Sequence, residues 1–273
     1  MLDYIKGLLE EKSTATIVFK RNLVKEYVQV LILSFLYTYK KYQNLIFYGG
    51  SSLRHCYNLP RLSEDLDFID VKKQIDLDGL AEDLVNFFKK KYGLAVNSKV
   101  QKFRCTVKFP ILHELKIASP EESNYLYSKI EVYKDFDFCK GYRVEIKPIF
   151  KFGEALLVRT FDLPTLMATK IQAIRQRKWE RTTKNGRIIA EVKGRDYFDL
   201  MWYLEQGIRP NMECIEGLSD ERALYEELIR LVKKLNPLSI KYDLEGLIED
   251  QSLVDSLKDN IKEILISSLS RRL

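Results

Sequence analysis

The chain has 273 residues, 46% hydrophobic and 31% charged, with a formal net charge of +6. That composition suits a folded protein with a sizeable core, and no apolar run approaches the roughly 20 residues of a membrane span. Two histidines, His55 and His113, leave little for a histidine-rich metal centre or a Ser-His-Asp hydrolase, and Cys56, Cys105, Cys139 and Cys214 are scattered without a CxxC pair, which argues against a zinc site or a disulfide framework and for a reducing, cytoplasmic setting.

MLDYIKGLLEEKS at the start carries acidic residues and no long apolar stretch, unlike a secretory signal. Residues 21–42 read as a long, largely buried helix closed by Asn44. Residues 45–48 form a short apolar strand running into Gly49-Gly50-Ser51-Ser52, followed by a short helix over 52–58 and a loop over 60–64. Asp65-Leu66-Asp67-Phe68-Ile69 alternates polar and apolar, as a half-buried strand does. Residues 78–91 have helical spacing with Asp78 as the expected N-cap.

Residues 94–160 are strand-rich, in LAVNSKVQKFRCTVKF, YLYSKIEVY, YRVEIKPIF and ALLVRTF, with Gly141 between the second and third as in a hairpin. From about residue 163 the pattern turns helical. Leu163, Leu166, Met167, Ile171 and Ile174 form one stripe, with Pro164 in the first turn. Residues 180–194 read as a polar loop, RDYFDLMWYLEQ resumes a helix, and more helices fill 219–271. The fold class is therefore α+β, a mixed sheet with flanking helices followed by a helical half, divided as residues 1–161 and 162–273. Charge is uneven: residues 170–195 hold nine basic and two acidic side chains, +7 against −1 for the rest of the chain. A local basic excess of that size suits a polyanion.

Chemistry concentrates in one stretch. On a strand, Asp65 and Asp67 point to the same face, and two carboxylates so close repel unless a cation lies between them. Hard oxygen ligands at this spacing suit Mg²⁺. The Gly49-Gly50-Ser51 turn into a helix offers unencumbered backbone N–H groups, a cradle for phosphate. Paired carboxylates beside a phosphate cradle are the minimum for metal-assisted phosphoryl or nucleotidyl transfer.

Glycine-serine, 13 residues over 52–64 and then Asp-Leu-Asp-Phe is similar to the signature of DNA polymerase β-like nucleotidyltransferases. More narrowly, GGSSLRHCYNLPRLSEDLDF resembles the AbiEii/AbiGii toxin family, whose members pair a GG-[ST]-x-L turn with an R-x-S-x-D-[LI]-D strand. LPTLMATKIQAIRQR followed by KGRDYFDLMWYL resembles the family's second half, where a lysine on one helix precedes an R-D-x-x-D-L helix. The resemblance covers about residues 45–204.

It implies a polymerase β-like nucleotidyltransferase core, two Mg²⁺ ions held by Asp65 and Asp67, and a third carboxylate on a neighbouring strand. Glu131 in Lys129-Ile130-Glu131-Val132 matches the family strand and is preferred as metal ligand and base; Glu145 in YRVEIK is the alternative. Gly50 and Ser51 would hold the phosphates of an NTP, with Arg61 and Ser63 shaping the nucleotide pocket. Lys170 would neutralise triphosphate charge, and Asp196 would orient Lys170 or a substrate group. The implied activity is transfer of NMP to an acceptor, RNA or tRNA foremost, by the toxin of a toxin–antitoxin or phage-defence system with an antitoxin partner and no membrane. A protein hydroxyl as acceptor, or a non-catalytic NTP- or RNA-binding module, are the competing readings.

Overall fold

A computed structural model of the chain describes residues 1–177, 181–182, 188–190 and 192–273. The chain divides into two compact units, one of Met1–Phe136 with Val144–Thr160 and one of Asp137–Arg143 with Phe161–Leu273.

The first unit is organised by a central helix. α1 (Leu2–Glu10), a helix the apolar pattern does not announce, buries Ile5 and Leu9 and precedes α2 (Ile17–Thr38). Thr16 caps α2 by accepting the Phe19 N–H, which satisfies one of the orphan donors of the first turn. The helix thus begins ahead of the apolar run and ends at Thr38, where Tyr39 turns extended. Its apolar residues face all round, so nearly every side from Leu23 to Leu36 is buried.

Around it lie β1 (Ile46–Tyr48), α3 (Gly49–Tyr57), β2 (Asp65–Ile69), α4 (Leu77–Tyr92), β3 (Asn97–Gln101), β4 (Arg104–Pro110), β5 (Tyr125–Tyr133), β6 (Val144–Lys151) and β7 (Glu154–Phe161). The strands form a mixed seven-stranded sheet in the order β3-β4-β5-β2-β1-β7-β6. β2 pairs parallel with β5 and antiparallel with β1, and β4 pairs antiparallel with β3 and β5. Leu66, Phe68, Val107, Phe109 and Ile130 project from one face into the core with Leu31 and Phe35 of α2 and Leu84 and Phe88 of α4. Each such side chain contributes about 1.5–3 kcal/mol. Strand alternation then sends Asp65, Asp67, Lys129 and Glu131 to the opposite face.

Four local expectations are corrected here. The cap of α4 is Asp76, which accepts the Asp78 and Gly79 N–H groups; Asp78 itself lies inside the first turn. α3 starts at Gly49 rather than after the glycine turn. Gly141 turns no hairpin: β5 and β6 are separated by three strands, and β6 instead joins its neighbour β7 through Phe152 and Gly153, both left-handed. Cys139 and Cys214 form a disulfide across 75 residues of sequence; their approach is made by the fold and leaves no spacing signal.

In the second unit, α5 (Leu163–Gln176) is capped by Asp162, which accepts the Thr165 N–H, and buries Leu166, Met167 and Ile171. Within the expected loop, β8 (Arg181–Thr182) and β9 (Ile188–Ala190) pair antiparallel; Lys178, Lys184 and Arg187 of the basic segment lie outside the described residues. α6 (Gly194–Glu205), a short 3₁₀ turn (Met212–Cys214), α7 (Glu221–Lys233), α8 (Pro237–Leu244) and α9 (Gln251–Ser270) follow. A Cβ at Gly194 would run into the backbone of Ser239 and Ile240, so only glycine lets α6 begin this close to α8. Among the described residues no helix is long and apolar enough to cross a membrane.

Candidate functional site

The polar face of the sheet in the first unit carries the carboxylates. Asp65 and Asp67 are partly exposed while Leu66 and Phe68 between and beside them are fully buried. Register sets Asp65 opposite Lys129 and Asp67 opposite Glu131 across the β2–β5 pair, and Asp67 opposite Tyr48 across the β1–β2 pair. Lys129 Nζ lies 3.6 Å from Asp65 Oδ1. Glu131, 7% exposed, is engaged on both oxygens: Arg104 Nε donates to Oε1 at 2.6 Å, and the Tyr133 hydroxyl donates to Oε2. Burial and then the Glu131 carboxylate push the Tyr133 hydroxyl far above its ordinary range. Glu145 sits on the edge strand β6, where Tyr57 Oη donates to it at 3.0 Å and Lys147 pairs with it at 2.8 Å. Topology therefore sets Glu131, and not Glu145, beside the aspartates.

The glycine turn packs directly on this face. Gly49 has φ +75°, and a Cβ there would stand 2.6 Å from Asp67 Oδ2. A Cβ on Gly50 would stand 2.7 Å from an Arg61 terminal nitrogen and 3.2 Å from Ser63 Oγ. α3 starts at this point with Tyr48 as N-cap and no side-chain cap, so its first-turn N–H groups are not taken by a capping side chain, as an anion site requires. The Ser51 hydroxyl is buried; it donates to the Asp65 carbonyl and lies 3.0 Å from the Ser63 hydroxyl. Arg61, also buried, donates to the Leu62 carbonyl at 2.8 Å. Both side chains hold the loop ahead of Asp65, and the first turn of α3 at Gly50 and Ser51 has no capping side chain.

Hard oxygen donors in a pair, with a glycine where any side chain would crowd Asp67, fit a divalent cation. Among the described residues, however, no three Asp, Glu, His or Cys side chains are grouped to hold a metal ion. Glu131 fits as a third ligand only on leaving Arg104 and Tyr133.

In the second unit Lys170 and Asp196 meet, at 2.8 Å, and Lys170 Nζ also lies 2.8 Å from Asp199 Oδ2. Arg177 reaches the other Asp196 oxygen at 2.6 Å. Burial pushes the Asp196 carboxyl up, and the charges of Lys170 and Arg177 outweigh it and hold the group below its usual range. Asp199 is missing from the residues picked out by sequence, although its i, i+3 spacing from Asp196 on a helix marks a shared face. Lys129 carried a similar signal, two residues before Glu131 on one strand. Tyr133, two residues after Glu131 on the same strand, carried it too, whereas Arg104 carried none, since pairing of β4 with β5 is not legible in composition.

Tyrosines of residues 125–142 fall in three separate places. Tyr125 and Tyr127 approach each other on β5, Tyr133 stacks on Phe103 at 4.8 Å, and Tyr142 meets Phe161 in the second unit. Phe103 and Tyr133 line a cleft of about 710 Å³ in the first unit, together with Lys73, Lys102, Lys134 and Asp76.

The family model described as nucleotidyl transferase AbiEii toxin, type IV TA system, matches residues 32–267. A crystal structure from H. pylori, of a protein whose assignment as a nucleotidyltransferase is itself provisional, superposes with a TM-score of 0.51 at 19% identity, covering 92% of this chain and 97% of that one. JHP933 from Helicobacter pylori gives 0.48 at 18% identity, over 92% and 94%. No curated protein matches significantly.

Proposed function

Because the chain belongs to the AbiEii nucleotidyl transferase toxin family of type IV toxin–antitoxin systems, we propose that it transfers a nucleoside monophosphate from an NTP to an acceptor hydroxyl, with Asp65 and Asp67 as the metal-holding pair. The observation that carries this reading is the packing of the left-handed Gly49 against Asp67: phosphate cradle and paired carboxylates are one structure. Two Mg²⁺ ions bound there would neutralise triphosphate charge and acidify the attacking hydroxyl.

The chain's own residues take the remaining tasks. The uncapped first turn of α3, at Gly50 and Ser51, receives phosphate oxygens. Arg61 and Ser63 keep that turn and the loop before Asp65 in place. Glu131 joins the aspartates on release from Arg104 and accepts the proton of the acceptor hydroxyl. The acceptor oxygen replaces pyrophosphate on the α-phosphorus. Lys170 of the second unit is held by Asp196 and Asp199, and no step is assigned to it.

RNA, tRNA included, is the proposed acceptor, supported by the local +7 segment and by the lysines and exposed Phe103 of the cleft, since bases stack on aromatics and phosphates seek cations. The cytoplasm is the proposed setting, with an antitoxin as partner.

Incubation with Mg²⁺, total RNA and each α-labelled NTP in turn tests the reading. Label moving into RNA names the nucleotide and supports the acceptor. Label on protein redirects the acceptor to a side-chain hydroxyl. RNA binding without metal and without transfer from any NTP would leave a binding module.

A further inference from the structure

The loop before Asp65 has no secondary structure, yet its carbonyls are received one after another by side chains. Arg54 Nη1 donates to Leu59 O at 3.0 Å and Arg61 Nη1 to Leu62 O at 2.8 Å, while Ser51 donates to Asp65 O. The two carbonyls immediately ahead of Asp65 share one donor. Gln29 Nε2, on the fully buried face of α2, lies 3.1 Å from both Ser63 O and Glu64 O.

That double contact fixes more than the loop. A primary amide has two N–H donors on one side and one carbonyl on the other. With Nε2 spent on two carbonyl oxygens, Gln29 Oε1 must face His55 Nε2, 3.3 Å away. His55 must then donate from Nε2, leaving Nδ1 bare, and Nδ1 is indeed buried without a hydrogen-bond partner. The chain of constraint runs from His55 through Gln29 to the backbone that enters Asp65. Neither Gln29 nor His55 belongs to the carboxylate pair or the glycine turn.

We propose that Gln29, oriented by His55, is a positioning residue that sets the aim of Asp65 and so the affinity of the carboxylate pair for a divalent cation. The proposal rests on the metal-holding reading of Asp65 and Asp67. It predicts an effect on cation binding larger than any loss of stability explains.

Mn²⁺ titration by electron paramagnetic resonance, hydrogen exchange of residues 61–66 and thermal melting would be run on the full chain and on Gln29→Leu, Gln29→Glu and Leu31→Val. Leu31 is buried two residues along α2 from Gln29, so its variant loosens the same helix and leaves the Gln29 amide in place. Both Gln29 variants are expected to weaken Mn²⁺ binding at least tenfold and to speed exchange over 61–66, with Leu31→Val within twofold on both readouts at a comparable melting temperature. Where neither Gln29 variant folds, His55→Ala leaves the amide in place without its orienting donor, and a two- to fivefold weaker Kd is expected.

Gln29 variants that bind Mn²⁺ as the parent does, or a Leu31→Val variant that loses as much, would overturn the proposal. Parent protein that binds no Mn²⁺ would instead sink the metal-holding reading and with it the cation half of the proposal. The exchange data then decide alone whether Gln29 holds the loop: unchanged exchange over 61–66 in its variants means that it does not.

Discussion

Two charged clusters dominate the molecule, and they are built on opposite terms. In the second unit Lys170, Arg177, Asp196 and Asp199 are closed on one another at 2.6–2.8 Å, with the Asp199 side chain fully shielded. In the first unit Asp65 and Asp67 stay partly exposed, and the nearest cation to Asp65, Lys129, stands at 3.6 Å on a side chain 42% exposed. A closed cluster spends its charge on the fold; a pair of like charges left partly exposed can still reach a solute. The same residue types therefore predict different losses when removed.

The largest effect is expected at the open pair. Asp67→Ala should lower nucleotidyl transfer on the order of 10³-fold or more, since several kcal/mol of transition-state stabilisation go with the cation, while urea denaturation stays near that of the parent. Transfer kinetics beside an unfolding curve check both halves. The closed cluster should answer in the other currency. Lys170→Met leaves Asp196 and Asp199 buried and short of a cation, and should cost about 3–5 kcal/mol of folding stability, read from urea midpoints; a loss under about 1 kcal/mol would mean that the cluster is not closed in solution.

Next comes the buried histidine behind the loop. Burial outweighs the opposing pull of Glu26 and, with smaller help from the Lys151 and Arg54 charges, brings His55 down to about 3. The unfolded chain takes up this proton below about 6.5 and the folded chain does not, so stability is complete above that pH and falls as pH drops through it, by about 1.4 kcal/mol per unit. Unfolding at pH 7, 6 and 5 should show this slope, and His55→Phe should flatten it. A smaller change is expected from Gly49→Ala, which forces a side chain into a left-handed position at about 1–2 kcal/mol and presses on Asp67; a raised Mg²⁺ requirement with a modest drop in melting temperature is the expected pair of results. Least of all, Lys129→Met removes an exposed ion pair and should move stability by less than about 1 kcal/mol, while Mn²⁺ binds a few-fold tighter without its competitor. Weaker binding in that variant would give Lys129 a supporting role and blur the contrast.

How much of this was readable in advance follows the same divide. Asp65, Asp67 and the glycine turn lie within twenty residues, and strand alternation and turn chemistry are local rules, so the sequence places them correctly. Glu131 was favoured over Glu145 by its strand motif, and the sheet order puts it beside the aspartates, with β5 next to β2 and β6 at the far edge. Arg104 on Glu131, Gln29 on the loop and the Cys139–Cys214 bond join positions 27, 34 or more and 75 residues apart. Contacts of that reach come from packing, for which residue spacing holds no signal. Helix limits slipped for another reason: Thr16 and Asp76 cap through side-chain oxygens that an apolar pattern does not carry.

The central claim is that Asp65 and Asp67 hold a divalent cation against the glycine turn. Crystals soaked in Mn²⁺ with a non-hydrolysable NTP analogue, measured at the manganese absorption edge, test it most directly. The account predicts anomalous peaks bonded to Asp65 and Asp67, with analogue phosphates at the first turn of α3. Bound analogue with no manganese at either aspartate would contradict it.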